Sequence, residues 1–248
     1  MSQPSPPSNR PSLPMSSSLD VFLLGILELG DTLELVERLR REIAARTDEH
    51  GTILVCEHPP SISIGREGSF ADVLVEREEL IARKMDVRWT NRGGATFVHL
   101  TGQLSAYVIV PLKRRNLGMH DFRSRLEAGL IGTAADFQIE ALPSASPGAE
   151  GRLGQFGFVG TAVRDWVSMG GVHVNVSLPQ EALDLIRWNK SESRVTTLST
   201  MRTRAIAMST ARESLIRNLA LALGYDSYHL YTGHPLLRRT VRRVYVYA

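Results

Sequence analysis

Cysteine is all but missing from this chain: Cys56 is the only one among 248 residues. That excludes an internal disulfide and a cysteine-rich zinc site, and it fits a reducing compartment. No apolar run approaches the ~18 residues that span a bilayer, and the amino terminus has no basic stretch followed by an apolar core. Neither membrane insertion nor secretion is therefore expected, and cytoplasm is the expected location. The 7 histidines never fall in HxxxH or HExxH spacing, so no catalytic metal site is expected. The RGG at Arg92–Gly94 lacks the G-x-x-x-x-G-K context of a nucleotide loop, and no lysine stands in the second glycine-rich segment to hold phosphates. No cofactor is expected. The net charge of +3 comes mainly from arginine, with RRTVRR at Arg238–Arg243 as its densest run. Without interleaved aromatics this run reads as a solvated charge pattern, and nucleic acid is not an expected partner.

What is present is ordinary globular material, 43% hydrophobic and 22% charged, enough for one sizeable core. Residues 1–18 are mostly Ser and Pro and read as a disordered tail, followed by a single domain over 19–248 with a basic carboxyl end. DVFLLGI alternates like a strand, and Leu33, Leu35, Val36 and Leu39 then take helical spacing with Asp31 as N-cap. TILVCE is a buried strand stopped by Pro59 and Pro60, SISI alternates, and VEREELIARKM is a charged helix. DVRWTNRGGATFVHL reads as a hairpin turning at Gly93–Gly94, followed by a strand over LSAYVIVPL. A helix capped by Asp121 comes next, then a loop over SASPGAEGRLGQ. FGFVGTAVRDWVSMGGVHVNVSL reads as a second hairpin with Met169, Gly170 and Gly171 in its turn. PQEALDLIRW is helical, and STARESLIRNLALALGY is an amphipathic helix ending near Gly224. Hairpins among helices, without strict βαβ alternation, predict an α+β fold with a mostly antiparallel or mixed sheet.

Four segments carry a resemblance. EHPPSISIG at Glu57–Gly65, RGGATFVHLTGQL at Arg92–Leu104, FVGTAVRDWVSMGGVHVNVSL at Phe158–Leu178 and VTTL at Val195–Leu198 occur in order and at matching spacing. Together they resemble the octanoyltransferase family, within the biotin/lipoate protein ligase superfamily, over roughly Leu33 to Gly224. The resemblance implies transfer of an octanoyl group from an acyl carrier protein to a lysine of a lipoyl domain, through an acyl-cysteine whose thiolate is favoured by a nearby lysine. It implies a substrate frame of Arg92, Gly93, Gly94, Ala95, Thr96, Phe97, Val98 and His99 on one side. Phe158, Val159, Gly160, Gly171, Val172 and His173 form the other.

The residues that would do the chemistry are replaced. Counting back from VTTL, the cysteine position is Trp188; counting back from FVG, the lysine position is Gln155. Trp offers no nucleophile and Gln no charge. Leu100–Thr101 replaces a usual Gly-Pro, and Gly170 a usual histidine. The catalytic set at the family positions is therefore empty, and an inactive acyl-chain, carrier-protein or lipoyl-domain binder is the alternative to an octanoyltransferase. Cys56, inside ILVC, reads as a small core hydrophobe rather than a relocated nucleophile, and Lys190 as a surface lysine. His99 has two readings, general base for a direct attack by the lysine amine or structural histidine within the sheet. His58 reads as fixing the turn before the prolines. His173 alternates with Val172 and Val174, facing either the pocket or away from the core.

Overall fold

The computed structural model describes residues 18–188 and 194–237. Lys190, the Arg238–Arg243 run and all but the last residue of the Ser/Pro tail lie outside them. Ser18 itself opens β1 (Ser18–Ile26), its hydroxyl 2.7 Å from His50 Nδ1. Then follow α1 (Leu29–Ala45), β2 (Gly51–Glu57), β3 (Ser61–Ile64), a 3-10 turn at Phe70–Asp72, α2 (Arg77–Ala82), β4 (Asp86–Trp89), β5 (Thr96–His99) and β6 (Gln103–Ile109). The second half supplies α3 (Met119–Asp136), β7 (Ala141–Pro143), β8 (Gly148–Gly151), β9 (Gly154–Arg164), β10 (Val167–Asn175), α4 (Gln180–Leu183), α5 (Leu198–Arg202), α6 (Met208–Leu223) and β11 (Ser227–Thr232).

Eight strands form one sheet in the order β11-β1-β2-β6-β10-β9-β8-β7, parallel at β11-β1-β2 and antiparallel across the rest. A three-stranded sheet, β4-β3-β5, lies beside it. The expected α+β architecture with a mixed sheet flanked by helices is what the chain adopts. Strand alternation splits the side chains of the large sheet between two layers. Ile53, Val55, Leu104, Ala106, Val108, Val172 and Val174 pack against α3 and α6, where Leu126, Leu130, Leu215 and Leu219 are fully buried. Leu54, Cys56, Tyr107 and Ile109 face the other way, under Leu35, Val36, Leu39 and Ile43 of α1. Each fully buried Leu or Val contributes about 1.5–3 kcal/mol, so both faces are held firmly. A third cluster joins β3 and β5 to Phe158, Leu183, Ile186 and Trp188.

Several local expectations change. Helix α1 starts at Leu29 after Glu28, which makes no side-chain cap bond, so Asp31 lies in the first turn and supports the helix through its charge. Gly118, not Asp121, precedes α3. β4 and β5 do not form a hairpin, because β3 lies between them, parallel to β4 and antiparallel to β5. The second hairpin, β9–β10, turns at Asp165 and Trp166, both with positive φ (52° and 56°). Met169, Gly170 and Gly171 are strand residues, and Gly171 is required because a Cβ there would collide with the Ala106 carbonyl of β6. Part of the expected loop over SASPGAEGRLGQ is β8.

Candidate functional site

The site lies where β5, β6 and β10 bring alternate residues to the face opposite α3 and α6. Register pairs His173 of β10 with Ser105 of β6, and Ser63 of β3 with Phe97 of β5. Three histidine rings meet here: His99 is 4.8 Å from His173 and 5.4 Å from His58, centroid to centroid. Val172 and Val174 point into the α3/α6 core, which resolves the orientation of His173 toward the site.

Hydrogen-bond partners fix most of the tautomers. The Gln103 amide nitrogen donates to the Val98 carbonyl (2.9 Å) and to Asn175 Oδ1 (3.0 Å), so its oxygen accepts from His99 Nδ1 at 3.0 Å. His99 Nε2 then accepts from Ser63 Oγ at 2.7 Å. Arg92 donates to that same hydroxyl through Nη2 (2.7 Å) and Nε (3.3 Å). The outline is that of a serine–histidine–amide triad, but both lone pairs of Ser63 receive Arg92, leaving none for attack. His58 Nδ1 donates to the Leu27 carbonyl (2.7 Å), and its Nε2 accepts from Tyr107 Oη (2.9 Å). His58 therefore fixes the chain before Pro59, as expected. With both nitrogens of His58 and of His99 engaged, the cluster is not a metal-ligand set.

Burial sets the protonation states. It holds the His99 and His173 pKa values well below the ordinary imidazole value, helped at His99 by His173 and at His173 by Arg92, so both rings are neutral. Burial also brings Arg92 down to about 9, still charged at neutral pH. Its remaining N–H groups go to the carbonyls of Ser63 (2.8 Å), Gly93 (3.1 Å) and Ala95 (2.8 Å), and its guanidinium lies 3.7 Å over the Phe97 ring. Gly160 lets Arg92 lie flat, since a Cβ there would sit 2.9 Å from Arg92 Cδ. Burial pushes the Cys56 thiol up to about 12, with His58 Nε2 3.6 Å away and already occupied by Tyr107. A thiol in that state supplies no thiolate.

Two recesses adjoin this network. An inner cavity of about 260 Å³ has Leu29, Leu33, Val36, Ala162 and Met169 on its apolar side. Ser63, Arg92, His99, Tyr107 and His173 form its polar side. An outer cleft of about 740 Å³ is lined by Gly94, Ala95, Phe97, Phe158, Val159 and Trp188. Trp188 is buried, stacks on Phe158 at 4.7 Å and donates from Nε1 to the Leu183 carbonyl at 2.7 Å. Gln155 is fully buried on β9, its amide nitrogen 3.1 Å from the Gly157 carbonyl.

The expected frame is thus divided. Arg92, His99, Gly160 and His173 meet at the inner cavity, while Gly94, Ala95, Phe97, Phe158 and Val159 meet at the outer cleft. Gly93 ties the turn to β9 by donating to the Thr161 carbonyl at 2.7 Å. Gly171 pairs with Gly160 inside the β9–β10 ladder. Thr96 donates to Asp72 (2.9 Å), and Val98 and Val172 pack in the cores, away from either recess. Sequence reasoning missed Ser63, Ser105 and Tyr107; their alternation within SISI and LSAY was the available signal.

The profile of the lipoyl protein ligase A/B catalytic domain matches residues 30–220, nearly the stretch that carries the resemblance. Curated relatives are octanoyltransferases. That of Geobacter metallireducens is 36% identical over 62% of this chain and 69% of its own length, and that of Geotalea uraniireducens 32% over 64% and 71%. The chain belongs to the octanoyltransferase family. In fold it is similar to a lipoate-protein ligase A bound with ATP (TM-score 0.68, 12% identity, covering 89% of this chain and 90% of that one). It is also similar to the bipartite lipoate protein ligase of Thermoplasma acidophilum, described with its E2 lipoyl domain (TM-score 0.70, 14% identity, covering 89% and 88%). The family consists of acyltransferases of lipoate biosynthesis, within which this chain carries Trp188 and Gln155 at the two positions singled out above.

Proposed function

We propose that this protein serves lipoate assembly by binding an octanoyl-type acyl group, presented by an acyl carrier protein or a lipoyl domain, without forming an acyl-cysteine. The observation that carries this reading is Trp188, whose indole is built into the aromatic stack with Phe158 and which occupies the position where the resemblance implies the cysteine. The only cysteine is protonated and buried beneath α1. The apolar wall of Leu29, Leu33, Val36 and Met169 supports acyl binding in the inner cavity. No described helix is long and apolar enough to cross a membrane.

A second reading keeps the overall transfer that family membership favours, by a direct route from the carrier-protein thioester to the lipoyl lysine. There the amine attacks the thioester carbonyl, the C–S bond breaks and the carrier thiol leaves. The amine proton would go to His99 once Ser63 swings off Nε2, and from His99 to the departing carrier sulfur. Incubating the chain with octanoyl-carrier protein and a lipoyl domain, then measuring complex formation and the lipoyl domain's mass, separates the readings. A complex with an unmodified lipoyl domain supports binding, an octanoylated lipoyl domain supports direct transfer, and neither outcome sinks both.

A further inference from the structure

His173 is the one ring of the three with an unengaged nitrogen. The residue is only 2% exposed, and it lines the inner cavity. Nδ1 lies 2.9 Å from Ser105 Oγ, and among the described residues Nε2 has no hydrogen-bond partner. The Ser105 hydroxyl is itself fully buried with His173 as its only partner among those residues. If His173 donated to Ser105, both the serine proton and Nε2 would go unpaired. If Ser105 donates to Nδ1, only Nε2–H is left over. The second arrangement leaves fewer unpaired groups, and it aims an N–H donor into the cavity.

The same wall carries a positive charge with no carboxylate in direct contact; Glu67, which accepts from the Gly94 N–H at 3.2 Å, supports that charge only from a distance. Every hydrogen bond of Arg92 goes to a neutral oxygen, from Ser63, Gly93 or Ala95. The one carboxylate lining the cavity, Glu37, is held by Arg40 at 2.9 Å, with Arg41 and Arg164 also within 4 Å. Buried cations are normally paired with an anion. An acyl group tethered to a carrier is held outside by its carbonyl end, past the exposed rim residues Trp89 and Asn91. What reaches the buried floor is therefore its free end.

We propose that the inner cavity recognises an acyl chain whose free end carries a carboxylate, accepted by His173 Nε2–H beside Arg92, with the methylenes along Leu29, Leu33, Val36 and Met169. The inference rests on the acyl-binding reading above. A methyl end would leave Nε2–H without an acceptor and the guanidinium without an anion in contact.

The test is calorimetric titration of the full-length chain at pH 8 with two neutral-headed acyl mimics: N-ethyloctanamide, and the mono-N-ethylamide of octanedioic acid. The carboxylate-ended ligand should bind at least tenfold tighter, and in His173→Leu the ratio should fall to about one while N-ethyloctanamide still binds. Nitrogen-15 NMR of the unmodified chain gives a readout free of folding effects: the His173 Nε2–H resonance should move with the carboxylate-ended ligand and not with the other. Equal affinities, or a preference unchanged in His173→Leu, overturn this inference and leave acyl binding standing. Binding of neither ligand overturns both.

Discussion

The inner cavity and the outer cleft both draw on the Arg92–Ala95 turn, and they are filled by opposite means. At the inner cavity a directed chain of donors runs from Arg92 through Ser63 and His99 to Gln103 and Asn175, every ring neutral and nearly every lone pair assigned. At the outer cleft, cohesion comes from the faces of Phe97, Phe158 and Trp188. The difference bears on the proposal that Trp188 stands where the resemblance implies a nucleophile. The outer cleft accommodates an indole at position 188 because stacking on Phe158 and one Nε1–carbonyl bond hold the large side chain. The hydrogen-bonded wall tolerates no such exchange, since removing any member leaves a buried partner unpaired.

Trp188→Ala should have the largest effect. It empties the aromatic stack and strands the Leu183 carbonyl, at a cost of about 3–5 kcal/mol, to be read from urea unfolding midpoints. Acyl-mimic binding to the folded variant should change little, and a collapse of binding would break the separation between the two recesses.

Acid should act on the inner cavity first. His99 and His173 have folded pKa values well below 6.5, so below pH 6.5 the unfolded chain binds protons that the folded chain refuses. Stability is then full above that pH and falls as pH decreases. The loss is about 1.4 kcal/mol per ring for each pH unit, so about 3 kcal/mol for the pair by pH 5.5. Denaturant melts at pH 7.5 and 5.5 measure it, and a flat response would show that the rings are not buried as neutral groups.

The smallest expected effect is that of Ser63→Ala. Losing the hydroxyl between Arg92 and His99 leaves Nε2 without its donor, at about 1–2 kcal/mol. The His99 nitrogen-15 shifts should change while the Trp188 fluorescence stays constant; movement of both would mean that the two recesses share one packing unit.

Much of this arrangement was legible in the sequence. The alternation Val172–His173–Val174 splits correctly between core and site, and the amphipathic α6 ends at Gly224, whose φ of +74° closes the helix. What was not legible depends on distant chain. Gly170–Gly171 looks like a turn, yet at Gly171 the glycine serves the close approach of β6, while Asp165 and Trp166, neither of them glycine, make the real turn under the pull of the β9–β10 ladder. β3 separates β4 from β5 through pairings that no local pattern encodes. Of the two positions the resemblance singles out, Trp188 lines the outer cleft, whereas Gln155 is not among the residues lining either recess. The roles of Ser63, Ser105 and Tyr107 follow from register across strands that are far apart in sequence.

The central claim, that the site holds acyl groups without a covalent intermediate, is tested most directly by acid-quenched intact-mass measurement of the protein during incubation with octanoyl-carrier protein. The predicted result is a chain that stays at its unmodified mass at every time point. A hydroxylamine-labile octanoyl adduct mapping to Cys56 and absent in Cys56→Ser would contradict it.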